Sequence, residues 1–125
     1  MPRKRILVKS IDTSISYQVI GIDLAKHLVS ACLITGAGEI FGIDRLTYDD
    51  LLKSAERMSP TLFCMEPCPE VHYLAEKLQG YGHHTKVIDG AAVKEYIKTH
   101  FGGQKTDLND AQAIAFLSLP EFGRF

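Results

Sequence analysis

At 125 residues the chain has the length of one domain, with enough of it to build a sizeable hydrophobic core. Hydrophobic residues make up 46% and charged residues 23%, which excludes disordered and collagen-like classes, and a formal net charge of −1 means that any polyanion must be met by a local basic patch. Three cysteines make no disulfide framework and suit a reducing compartment, and the apolar run Ile6 to Val8 is too short for a signal peptide or a membrane span, so a cytoplasmic protein without a membrane partner is expected.

Residues 1–16 mix Arg3, Lys4, Arg5 and Lys9 with serines and threonines without sustained periodicity, and read as a basic N-terminal arm. From Tyr17 to Leu24 the run Y-Q-V-I-G-I-D-L is β-rich and largely apolar, as for a buried central strand, and its one charge is Asp23. A second β-rich run, Leu28 to Thr35, turns at Gly36-Ala37-Gly38 into a short third, Glu39 to Gly42, which together predict an antiparallel meander. Thr47 resembles an N-cap, and Leu51, Leu52, Ala55 and Met58 recur at helical spacing until Pro60. Thr61 to Met65 is a short apolar strand ending at Glu66, and Pro67 and Pro69 lead into a helix whose apolar face is Val71, Leu74, Ala75 and Leu78. Thr85 to Ile88 reads as a further strand and Ala91 to Phe101 as a helix broken by Gly102-Gly103. A last helix starts at Thr106 or Asp107 and runs to Leu119. Strand-helix-strand units after a meander predict a mixed five-stranded sheet covered by helices, an α/β layered fold.

The chemistry concentrates in acidic residues. Asp23 and Glu66 each end a predicted strand, where open α/β sheets carry their functional groups. If those strands are parallel neighbours, the two carboxylates stand a strand spacing apart and can share a cation; taken singly, Asp23 caps a turn and Glu66 is an exposed strand end. In K-T-D-L-N-D-A, Asp107 and Asp110 are three apart and share a helix face with Ala111, Ile114, Leu117 and Ser118, the face that the helix must bury. Capping accounts for one of these aspartates, and less easily for both. Four carboxylates from two strand ends and one helix start form a hard-oxygen set suited to Mg²⁺ or Mn²⁺, with two ions serving phosphodiester chemistry. Lys94, Lys98 and Lys105, with Arg3, Lys4, Arg5 and Lys9 of the arm, and Lys26 close after Asp23, are expected either to meet nucleic-acid phosphates or to be solvated. Tyr96 and Phe101 fall in helical register for core packing, and His83-His84 follows a helix end, where imidazolium suits the dipole. Cys64, Cys68 and His72 lack the second Cys or His pair that a structural zinc site needs.

Three motifs, G-I-D-L-A-K at Gly21 to Lys26, M-E-P-C at Met65 to Cys68 and K-T-D-L-N-D-A at Lys105 to Ala111, together resemble the amino-terminal domain of the DEDD transposases of bacterial and archaeal insertion sequences. Pro69 stands where that family commonly has glycine. The resemblance implies a RuvC-like domain of ribonuclease H type over residues 17–125, with Asp23, Glu66, Asp107 and Asp110 as catalytic metal ligands. It further implies a role in DNA transposition and recombination, with DNA, a structured guide RNA and further copies of the chain as partners. Longer members carry a second, carboxy-terminal domain with a serine nucleophile, so a chain ending at Phe125 is expected to hold only part of the recombination machinery. Two other readings remain open: a non-catalytic nucleic-acid-binding or assembly module, and an actin-like ATPase lobe. The latter also opens on a strand aspartate and a meander, yet has small and hydroxyl residues where Leu24, Lys26 and His27 stand here.

Overall fold

A computed structural model of the chain describes residues 4–119. Six strands, β1 (Arg5–Leu7), β2 (Tyr17–Leu24), β3 (Leu28–Thr35), β4 (Ile40–Thr47), β5 (Leu62–Met65) and β6 (His84–Val87), form one mixed sheet in the order β1-β4-β3-β2-β5-β6. The β2-β3-β4 meander is antiparallel, whereas β1 joins β4, β5 joins β2 and β6 joins β5 in parallel. The helices α1 (Tyr48–Glu56), α2 (Val71–Gly80), α3 (Gly90–His100) and α4 (Asp107–Leu117) complete an α/β architecture. Among the described residues no helix is long and apolar enough to cross a membrane.

The extra strand corrects the expectation of five strands and an irregular arm. Residues 5–7 pair with Ile40, Phe41 and Gly42, and the Val8 N–H donates to the Gly42 carbonyl at 2.9 Å. Three residues carry too little pattern to read as a strand, and this one forms because the β4 edge offers it a ladder. Arg3 lies outside the described residues. The third meander strand also runs on through Asp44 and Arg45 to Thr47, beyond the Gly42 expected, with a bulge opposite Ser30 and Arg45 at φ 61°.

Period-two alternation sorts the side chains into two cores. Ile20 and Ile22 of β2, Phe63 and Met65 of β5, and Leu33 of β3 face one side, where Leu51 and Ala55 of α1 and Leu74 and Leu78 of α2 cover them. Val19, Cys32 and Cys64 face the other side with Val93 and Ile97 of α3 and Ala111, Ile114 and Ala115 of α4. The four apolar β2 positions between Val19 and Ile22 are buried because both faces are covered. His83, expected to suit a helix end as imidazolium, is instead a buried bridge: its Nδ1 accepts from the Thr61 N–H at 3.0 Å, so its Nε2 carries the hydrogen donated to the Ala55 carbonyl at 2.6 Å.

Helix α4 approaches the sheet more closely than a side chain would allow. A Cβ on Gly21 would lie 2.4 Å from the Ala111 carbonyl oxygen and 2.5 Å from the Ala115 nitrogen, so the helix backbone rests directly on β2. The residue without a Cβ is what admits that contact. Residues 109–115 of α4 are buried all round, more than the single face expected, because the sheet, α3 and Arg5 surround the helix. The Arg5 guanidinium donates to Gln112 Oε1 at 2.9 Å and to the Leu108 carbonyl and Asn109 Oδ1 at 3.3 Å each, so this arginine fastens α4.

Candidate active site

The same alternation decides where the acidic residues point. Gly21 faces α4, so Asp23, two residues on, projects from the α4 side of the sheet; Cys64 faces that side too, and Glu66 follows at the same parity. The parallel register pairs Gly21 with Cys64 and Ile22 with Met65, and one further step brings Asp23 level with Glu66 on the adjacent strand. Both carboxyl groups thus stand at the carboxyl ends of central strands, beneath the first turn of α4.

Thr106 caps that helix: its side-chain oxygen accepts from the Asn109 N–H at 3.0 Å. Capping is therefore done without either aspartate. Asp107 is exposed and hydrogen-bonds Asp23, whereas Asp110 is 2% exposed. Oδ2 of Asp110 accepts from the Lys105 ammonium, and Oδ1 is buried without a hydrogen-bond partner among the described residues. Asp110 is the hub, since its charge acts on both Asp23 and Glu66.

The electrostatics record this crowding. Burial, then the charges of Asp110 and Asp107 and the hydrogen bond to Asp107, raise the Asp23 carboxyl from 3.8 to about 7, against the opposing pull of Lys105. Burial and Asp110 likewise raise Glu66, again opposed by Lys105. Among the described residues no group of three or more His, Cys, Asp or Glu side chains stands ready to hold a metal ion. The carboxylates are gathered on one face without being closed on one point, as mutual repulsion and the Lys105 ion pair require. The donor set still fits a hard divalent cation: all are carboxylate oxygens, and one is buried without the partner that a buried polar atom needs. Cys64 and Cys68 serve opposite cores and form no joint site.

Lys94, Lys98 and Lys105 share one groove of about 540 Å³ with Glu66 and Asp110, while Lys26 is exposed in the turn after β2. The Tyr96 ring packs against those of Phe101 and Phe116, each with its centroid 6.2 Å away, as core. Sequence reasoning missed Ser30, the cross-strand neighbour of Asp23, whose hydroxyl donates to Asp44 at 2.8 Å; only the meander register reveals it. It also missed Arg5 as a support of the helix that carries the acidic pair.

Comparison with known proteins identifies the family. The family model described as a transposase, of the IS110 DEDD type, matches residues 20–125. The "Probable family 20 transposase" of Pseudomonas aeruginosa is 34% identical over 104 residues, covering 76% of this chain and 27% of that protein. The transposase for insertion sequence element IS1111A of Coxiella burnetii is 29% identical over 98 residues, 78% of this chain and 26% of its own length. The transposase for insertion sequence element IS1328 of Yersinia enterocolitica is 28% identical over 96 residues, with 77% and 28% covered. The chain thus spans about a quarter of the length of the curated relatives it matches. On this match, which takes in both strand ends and the α4 acidic pair, the chain belongs to the IS110-type DEDD transposase family of insertion sequences.

Proposed function

We propose that the chain is the metal-dependent strand-cleaving and strand-transferring part of an insertion-sequence transposase, built on a ribonuclease H-like, RuvC-like fold over residues 17–125. Asp23, Glu66, Asp107 and Asp110 are its metal ligands, for two Mg²⁺ or Mn²⁺ ions, and DNA is its substrate. A separate serine-bearing domain, a structured guide RNA and further copies of the chain complete the apparatus. The observation that carries this reading is the Asp110 carboxylate, buried under the strand ends with one oxygen unpartnered and its charge acting on Asp23 and Glu66.

Divalent ions held there supply charge neutralisation and Lewis acidity at the attacking and leaving oxygens of a phosphodiester. The chain's own groups prepare for that role. Asp23 holds a proton near neutrality and must release it to act as a ligand, and Lys105 must leave Asp110 Oδ2. Once displaced, the Lys105 ammonium stays beside the site on an exposed side chain, able to meet a phosphate oxygen.

The test is thermal unfolding with and without Mn²⁺. Asp107→Asn and Asp110→Asn are expected to leave the metal-free melting temperature nearly unchanged or slightly raised, and to remove most of the metal-dependent rise. Variants that keep the full rise would reduce the acidic pair to a helix-start feature and sink the cleavage reading.

A further inference from the structure

The groove beside the acidic site has features that metal binding leaves unused. One end holds Glu66 and Asp110; the rest is floored by Val93 and Ile97 and edged by Lys94 and Lys98, one turn apart on α3. The wall is shaped by the sharp reversal at Gly102 and Gly103, both at positive φ, which sets the end of α3 beside the start of α4. At the mouth is Gly90, where a Cβ would meet only Glu66 Oε1, at 3.8 Å.

We propose that this groove seats an unpaired nucleic-acid strand, with one sugar and base on the aliphatic floor and its phosphates on Lys94 and Lys98, the strand leading toward the cation site at Glu66 and Asp110. The proposal rests on the reading of the acidic site as a cleavage centre and names the form of substrate it takes. A volume of about 540 Å³ is that of a small-molecule cleft, room for a nucleotide unit and far too little for a double helix. Charge is distributed to match: lysines along the edge suit the strand's phosphates, while the carboxylates at the end suit a cation. The lysine stems add aliphatic surface to the floor. A duplex keeps its bases paired inside and touches only the exposed lysines; to cover Val93 and Ile97 it must release a base. Among the described residues no aromatic side chain lines the groove, so the base is held by shape and apolar contact with little preference among sequences.

The test is fluorescence anisotropy of labelled oligonucleotides with the whole chain, at low salt and in EDTA, so that strand binding is read apart from metal binding. A single strand is expected to bind more tightly than the duplex of the same sequence. Gly90→Leu, which narrows the mouth without touching the lysines, is expected to weaken single-strand binding about tenfold and leave duplex binding unchanged. Lys94→Glu with Lys98→Glu, both at exposed positions, is expected to weaken both. Equal binding of duplex and strand, or single-strand binding indifferent to Gly90→Leu in a variant that melts like the parent, would overturn the proposal. So would single-strand binding indifferent to the lysine changes, which do not depend on Gly90→Leu folding. DNA and RNA strands compared side by side identify the occupant by the tighter complex. A metal-dependent melting shift without strand preference sinks the groove alone, and strand preference without a metal shift sinks the cleavage centre alone.

Discussion

Asp23 ends a buried strand beside two other acids, and the pH dependence of the molecule follows from that position. Its carboxyl titrates at about 7 in the folded chain against 3.8 ordinarily, so between these values the folded state binds a proton that the unfolded state has released. Stability from this group is fully present below about 3.8 and is lost as pH rises through about 7; Glu66, also raised, acts in the same direction. Urea unfolding in EDTA is therefore expected to show these groups lowering the midpoint between about pH 4 and pH 7, and Asp110→Asn is expected to flatten that fall by removing a neighbouring charge. The Mn²⁺-dependent rise in melting temperature should grow across the same interval, since the ligand form of Asp23 is the ionised one. An Asp110→Asn profile that falls as steeply as the parent's would refute this account. The acids were legible as types at strand ends and a helix start. Their grouping on one side of the sheet follows from counting by twos from Gly21 and Cys64, which the sequence permits. The roles of Arg5 and His83 were not legible, because each depends on partners distant in sequence, 107 positions away for Arg5 with Gln112 and 28 for His83 with Ala55.

Helix α4 carries two of the four acids, and its seat on the sheet is the element-scale constraint. Gly21→Ala would drive a methyl group into the Ala111 carbonyl and the Ala115 amide, backbone atoms that only a shift of the whole helix can relieve. Overpacking of this kind costs roughly 1–3 kcal/mol, and the expected result is a lower urea midpoint together with a weaker Mn²⁺ response. Loss of stability with the full metal response intact would show that the helix can move without disturbing the acids. Arg5→Met keeps the aliphatic stem yet leaves Gln112 and Asn109 without their donor, an expected loss of about 1–3 kcal/mol by urea unfolding. A variant as stable as the parent would mean that water replaces the guanidinium. Helix positions were readable from caps and apolar spacing: Thr47 caps as expected and Thr106, of the two candidates Thr106 and Asp107, caps α4, with bonds of 3.0 Å from the Asp50 and Asn109 N–H groups. Strand ends were less readable, because β1 and the outer half of β4 owe their form to ladder partners and a bulge instead of to local alternation.

Across the whole molecule, α4 and α3 together cover the central strands on one side of the sheet. A chain ended after Phe101 would bare Val19, Cys32, Ile34 and Cys64, and is expected to bind a hydrophobic dye and to melt without a cooperative transition; a sharp transition would show that the remaining elements form a domain by themselves. The mixed sheet with β2 at its centre, the meander on one side and parallel strands on the other was legible, because an apolar run with covered faces and two strand-helix-strand units leave few other topologies. The position of β1 was not, since nothing local distinguishes an edge strand of three residues from a tail.

The Arg5 guanidinium has consequences for the order in which the molecule comes together during synthesis. Its acceptors at Leu108, Asn109 and Gln112 are made about a hundred residues after it, so the clasp between β1 and α4 cannot close until that whole stretch has left the ribosome. Asp23 and Glu66 emerge well before Asp107 and Asp110, and until α4 lies against Gly21 a growing chain presents at most half of the acidic set. The acidic set is completed in one event, the docking of α4, and a nascent chain that stops short of α4 lacks it.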